Sequence, residues 1–246
     1  WRAPFPLQVT AGQFRIPVGA TTITPYGDLV FWDRPYIVGQ FLKRALRDVG
    51  LKLHAPGDFP IRYQFAVLGG AGILGAGANR DDVEPADLLY TARLTVDLAH
   101  WIDAFDRLEL GASYATSHDT AVDDSGDFSS GTALGSGFGP AEARRTHVAE
   151  ADLSVLVAGA WLQVEHWFAH LTPDGAGAVT DRARGTSVEL AYQIDLPKAF
   201  WLQPAFRAAH LRLEPGAPGM PTTREATFTA GLNIGTPPDV RVGLYY

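Results

Sequence analysis

The strongest constraint on the fold is a strict alternation of apolar and polar residues along positions 223–234. The apolar positions of this segment are Ala226, Phe228, Ala230, Leu232 and Ile234. A period of two predicts a β-strand with one apolar face and one polar face. The same alternation recurs along the chain, in segments 61–67, 88–98, 108–114, 149–157 and 187–194.

The length of these segments separates two kinds of β protein. Strands of soluble sandwiches usually have about five or six residues, whereas several of these run to about ten, enough to cross a bilayer when tilted. The sequence therefore predicts an all-β fold, an antiparallel transmembrane β-barrel of roughly 12 or more strands, apolar outside and polar inside. We assign residues 1–246 to this single outer-membrane barrel domain, which we expect to be incomplete at one or both ends.

Composition excludes several other classes of protein. Mean hydropathy is near zero, and the chain has no apolar run of about 18 residues, which argues against membrane-spanning helices. The net charge of −7 leaves no basic surface for nucleic acid. Cysteine is absent, so the chain has neither disulfides nor thiolate metal ligands.

Short and long connections alternate between the predicted strands. Outer-membrane barrels show the same plan, with short turns on the periplasmic side and long loops on the extracellular side. Apolar residues at helical spacing predict a short amphipathic helix from Tyr36 to Leu46, although part of this segment also reads as a strand. The short connections carry aromatic residues, which favour a girdle at the membrane boundary. These residues are Trp101, Phe105, Trp161, Phe200 and Trp201.

Several short segments, in order along the chain, resemble landmarks of the phosphate-selective porins of the O and P type. They are AGQFRIP, DLVFWDRP, RDVGLKLHAPGD, IRYQFAVLGGAG, LLYTARLTVDL and AGLNIGTPPDVRVGLYY. The resemblance implies a trimeric porin of the bacterial outer membrane that needs no cofactor and folds loops into its pore. It also implies that N-terminal strands and the closing strand are missing here. Asp33 stands where the family commonly has glutamate.

Alternation also predicts which charged residues line the pore. The basic candidates are Lys52, Arg62, Arg93 and Arg207, joined by Arg34, Lys43, Arg44 and Arg47 if the long early connection folds inward. The acidic candidates are Asp48, Asp97, Glu109, Glu150, Asp152, Glu165, Glu189 and Glu225. An anion pathway needs cations with few acids nearby, whereas this wall leans acidic. The opposite charges could instead pair across strands and stiffen the wall.

Three other motifs have simpler structural interpretations. Gly70, Gly72 and Gly75 form G-x-G-x-x-G after a strand, but a dinucleotide site needs a helix next. The acidic residues at 119–127 do not match the spacing of a calcium loop. His166 and His170 would share a helix face, but in a strand they lie apart. We expect no metal site, and no nucleophile motif indicates an enzyme.

Three functions remain open at this point. The first is a diffusion porin of the bacterial outer membrane for small hydrophilic solutes, with anions such as phosphate among the candidates. The second is a closed barrel that serves as an anchor or scaffold in an envelope assembly. The third is a soluble β protein that binds a ligand. For the two membrane functions we expect contacts with membrane lipid and lipopolysaccharide, and a homotrimer or a larger envelope complex.

Overall fold

The chain folds into one antiparallel sheet with very little helix, which confirms the predicted all-β fold. The computed structural model describes residues 7–25, 28–31, 33–41, 47–69, 88–119, 144–173, 179–197, 200–216, 219, 221–236 and 240–246. Within these ranges the first elements are β1 (Gln8–Arg15), α1 (Ala20–Ile23), α2 (Tyr36–Phe41), β2 (Arg47–His54), β3 (Ile61–Leu68) and β4 (Leu89–Asp97). After a 3-10 helix (Leu98–His100) come β5 (Arg107–Asp119), β6 (Arg144–Val157), β7 (Ala160–Pro173) and β8 (Asp181–Tyr192). The last strands are β9 (Ile194–Asp195), β10 (Trp201–Glu214), β11 (Thr223–Thr236) and β12 (Val240–Tyr245).

Strands that follow one another in sequence are neighbours in the sheet, except that the two-residue β9 pairs with the start of β10 beside β8. β1 and β12 lie at the two edges. The tightest connection is the turn of Ala158 and Gly159 between β6 and β7. Both residues have positive φ, 48° and 79°, as the hairpin turn that matches strand twist requires. Short connections thus lie at one end of the sheet and long connections at the other.

The two faces of the sheet differ sharply in chemistry. On β7, Gln163 and Glu165 are buried, whereas His166 between two inward positions is exposed. On β8, Glu189 is buried while the neighbouring Leu190 is 46% exposed. We call the face with the buried charges the inner face and the opposite face the outer face. The inner face also carries a buried apolar cluster that includes Trp167 and Leu211. The features that are unusual for a water-soluble domain are therefore the buried charges and the exposed large apolar side chains.

The long connection between β1 and β2 packs against the inner face. We call residues 16–41 the inserted segment. Its Val18, Phe31 and Val38 are fully buried, and the ring of Phe41 lies 5.6 Å from that of Trp167 on β7. Gly19 has φ +78°, and a Cβ there would lie 2.5 Å from the Trp167 ring, so the close approach requires glycine.

Some local predictions differ from the structure. The predicted helix from Tyr36 to Leu46 is observed over Tyr36–Phe41, and residues 42–46 lie outside the described ranges. α1 was not predicted, because its four residues depend on contacts with distant strands rather than on their own sequence. Trp101 and Phe200 are exposed, as a girdle requires. Trp161 is not, because it lies on the inner face, where the alternation of β7 places it.

Candidate functional site

A buried ion cluster on β4, β5 and β6 forms the first part of the inner face. The Arg93 guanidinium binds Asp152 with both terminal nitrogens, Nη1 to Oδ2 at 2.7 Å and Nη2 to Oδ1 at 3.1 Å. Its Nη1 also lies 3.3 Å from Oε2 of Glu150. The Ser113 hydroxyl donates to the same Glu150 oxygen at 2.8 Å and accepts from Arg93. One cation on β4 therefore binds two carboxylates of β6 across the intervening β5.

A second ion cluster connects β8 and β10 to the inserted segment. Nε of Arg207 donates to Oε1 of Glu189 at 2.8 Å. Its Nη2 donates to the backbone oxygen of Asp33 at 2.7 Å, and its Nη1 lies 3.2 Å from the Asp33 carboxylate. The guanidinium carbon lies 4.2 Å from the centre of the Phe31 ring. Arg207 thus holds the segment by charge, by hydrogen bonds and by a cation–π contact.

Glu165 is the third anchor of the inserted segment, and it is fully buried. Its carboxylate accepts hydrogen bonds from the backbone N and from the hydroxyl of Thr21, both at 2.7 Å, and from Trp167 Nε1 at 3.4 Å. Nearby, the backbone N of Gly19 donates to the Ser113 hydroxyl at 3.2 Å. These bonds satisfy the buried carboxyl group, and no lysine or arginine in the described ranges forms an ion pair with it.

Carboxylates outnumber cations in the buried part of the inner face. The buried acids are Asp48, Glu150, Asp152, Glu165 and Glu189, and the buried bases are Arg93 and Arg207. Oε1 of Glu150 and Nε2 of Gln163 have no protein partner within the described part of the chain. Because buried polar groups are normally hydrogen-bonded, such atoms are suited to ordered water. This face can therefore hold ordered water beside its carboxylates.

A cavity of about 750 Å³ opens at the end with the short connections. Its wall includes the acids Asp28, Asp106 and Asp195. Arg107 is its only basic lining residue in the described chain, and its guanidinium lies 5.2 Å from the centre of the Trp161 ring. We call this cavity the acidic vestibule. Its size would admit a small hydrophilic solute.

The remaining predicted residues occupy different places. Lys52 is half-buried with its Nζ 5.2 Å from the Phe14 ring centre. Arg62 forms an ion pair with Glu109 at 2.7 Å, and Glu225 binds the Tyr36 hydroxyl. Lys43 and Arg44 lie outside the described residues, as do positions 70–75 and the acidic residues after position 119.

Two arginines predicted at the rim of the inserted segment have other roles. Arg34 donates to the backbone oxygens of Thr21 and Thr24, at 2.8 and 3.0 Å, and so fixes the chain around α1. Arg47 begins β2 and is exposed, while Asp48 beside it is buried. Alternation therefore directs Arg47 away from the inserted segment rather than towards it, a correction to the prediction.

Sequence reasoning missed the most connected amide of the inner face. Asn233 is fully buried and donates to the Val30 oxygen at 2.9 Å and to Gln203 at 3.0 Å. It accepts from the Tyr245 hydroxyl at 2.5 Å. Its alternation with Leu232 and Ile234 placed it on the polar face, but the pattern could not show its contact with Val30 in the inserted segment.

Comparison of the chain with family models, with curated proteins and with solved structures finds no match. The function must therefore be argued from the two faces and the inserted segment. Among the described residues, no helix is long and apolar enough to span a membrane, and no group of three or more histidine or acidic residues could hold a metal ion.

Proposed function

We propose that the sheet closes into a β-barrel of the bacterial outer membrane and lets small hydrophilic solutes diffuse through its interior. The observation that supports this most is that several charged side chains are buried on the inner face while large apolar side chains are exposed on the outer face. Twisted sheets rarely exceed about ten strands without curling, and closure would also cover the free edges of β1 and β12.

The outer face supports a lipid environment. Two successive rows across adjacent strands are apolar, Leu162–Leu190 and Val164–Val188, and Ala208 and Phe228 continue the second row. Phe228 is 70% exposed. Transfer of a large apolar side chain from water gains about 1.5–3 kcal/mol. A continuous band of such residues is typical of a surface that contacts membrane lipid.

The inner face supports diffusion rather than covalent chemistry. Ion clusters around Arg93 and Arg207 line the interior, and the inserted segment narrows it beside Glu165. The acidic vestibule continues this route at the short connections. Selection of solutes would follow from the size and charge of this passage.

Planar bilayers test this proposal directly. We expect steady open steps from the refolded protein in a KCl gradient. Thr21→Val removes one hydrogen bond to Glu165 and should loosen the inserted segment and raise conductance. Thr172→Val, the same change on the exposed outer face, should leave conductance unaltered. A protein that inserts into the bilayer but remains silent in all three forms would refute the diffusion channel.

The second candidate is a closed barrel that anchors an envelope assembly. The observation that favours it is dense packing between the inserted segment and the inner face, where Val18, Phe31 and Trp167 are fully buried. The silent outcome in bilayers would support this candidate. Recovery of a folded barrel with a stable protein partner from membranes would then test it.

A further inference from the structure

Three arginines lie side by side on the outer face. Arg184 on β8 is directly opposite Arg212 on β10, which is directly opposite Arg224 on β11. Neighbouring strands lie about 4.8 Å apart, so the three arginines occupy adjacent positions across the sheet. Arg182 precedes Arg184 by two positions and lies on the same face. We call these four residues the arginine patch.

The patch carries a large excess of positive charge. On the described outer-face side chains of β6, β7, β8, β10 and β11, Glu214 is the single carboxylate, and it lies 2.6 Å from Nε of Arg212. Arg184 is held over the Phe168 ring, 5.5 Å from its centre. Like charges directly opposite each other on neighbouring strands destabilise a sheet. An anion that binds between the arginines would relieve this repulsion.

The patch borders the apolar band of the outer face. Along the outer face of β10, His210 lies two positions before Arg212, and Ala208 lies two positions before His210. Ala208 pairs with Val188 on β8 and with Phe228 on β11. β10 has 14 residues. At about 3.3 Å per residue and a tilt of about 40° they reach roughly 35 Å, beyond an apolar band of about 25 Å. The arginines therefore lie where the strands would leave the hydrocarbon.

We propose that the arginine patch binds the phosphate groups of lipid headgroups, while the acyl chains of the same lipid lie on the apolar rows beside it. This inference rests on the proposed membrane location. Guanidinium groups match phosphate oxygens with paired hydrogen bonds. A lipid fits better than a free anion, because Val188 and Phe228 next to the patch offer its chains an apolar surface.

Binding of a phosphorylated lipid to the detergent-solubilised protein tests the proposal. The probe is diphosphorylated lipid A in zwitterionic micelles, compared with the same lipid without phosphates and with inorganic phosphate alone. We expect tight, salt-sensitive binding of the phosphorylated lipid only. In R182Q/R184Q/R224Q the affinity should fall about 100-fold, at roughly fivefold per arginine.

Arg47→Gln is the matched control for Arg184→Gln, because Arg47 is also exposed but lies on β2, away from the patch. Arg184→Gln should weaken binding, and Arg47→Gln should not. Equal affinity for the phosphate-free lipid, equal competition by inorganic phosphate, or an unchanged triple variant would each overturn the inference. Salt dependence of the unmodified protein checks it without any variant. Insertion into bilayers without lipid preference would refute this inference alone, whereas failure to insert would refute the proposed function.

Discussion

The ion cluster around Arg207 allows a sharp test of how the interior is stabilised. Arg207 binds two carboxylates of different exposure. Its side chain is 4% exposed and that of Glu189 is 2% exposed, whereas that of Asp33 is 80% exposed. Because water screens the Asp33 charge but not that of Glu189, the two ion pairs should contribute very differently to the free energy of unfolding.

The structure predicts the size of this difference. Arg207→Gln leaves the buried charge of Glu189 without its cation, which typically costs about 3–5 kcal/mol. Asp33→Asn removes an exposed pair, which typically costs under about 1 kcal/mol. The double variant R207Q/E189Q replaces both buried charges with amides and should recover part of the loss, because no uncompensated buried charge remains. The contacts of Arg207 with Asp33 and Phe31 stay lost in both variants.

The assay is urea unfolding of the protein refolded into phosphatidylcholine vesicles, followed by tryptophan fluorescence. Glu189→Gln completes the cycle and measures the coupling between the two residues. Two results would refute the reasoning. One is a loss in Asp33→Asn as large as that in Arg207→Gln. The other is a double variant less stable than both single variants.

Three further predictions concern the inserted segment and the vestibule. Burial, and then the hydrogen bond and charge of Glu225, raise the pKa of Tyr36 to about 12. The contribution of Tyr36 to stability is therefore full below about pH 10 and is lost as the pH rises through 12. A pH series of unfolding free energies should show this loss in the native protein but not in Tyr36→Phe. Asn233→Ala removes the hydrogen bonds of this buried amide to the Val30 oxygen and from the Tyr245 hydroxyl and should cost about 2–4 kcal/mol in urea unfolding. A loss below about 0.5 kcal/mol would contradict this prediction. D106N/D195N removes two acids of the acidic vestibule. If these acids make the native channel prefer cations, the reversal potential in a KCl gradient should move towards zero in this variant. An unchanged reversal potential would place charge selection elsewhere.

Much of the sheet could be predicted from the sequence because a strand with two unlike faces repeats every two residues. Glu189 and Leu190 show why, since neighbouring positions face opposite sides and the pattern alone assigns each. Alternation likewise placed Arg93 and Asp152 on one face. It could not show that they meet, because contact depends on the register of β4, β5 and β6, which no local pattern determines.

The inserted segment marks the limit of local reasoning. Residues around Thr21 read as a turn, and their four-residue helix exists because Glu165, 144 positions away, accepts two of its hydrogen bonds. Short helices of this kind are not stable alone. A sequence-based assignment therefore predicts the strands of such a sheet better than the segment that packs against its inner face.

The arginine patch combines both situations. Alternation alone assigns Arg184, Arg212 and Arg224 to the same face as the apolar residues. Isolated charges are unexpected on a face that is otherwise apolar. Register then brings all three together at the long-connection end, beyond the apolar rows. Repulsion among them is a cost within the isolated chain, and a dense layer of anions beside them would relieve it. A membrane surface with phosphorylated headgroups is such a layer, and the lipid-binding experiment therefore tests how the outer face is oriented as well as what it binds.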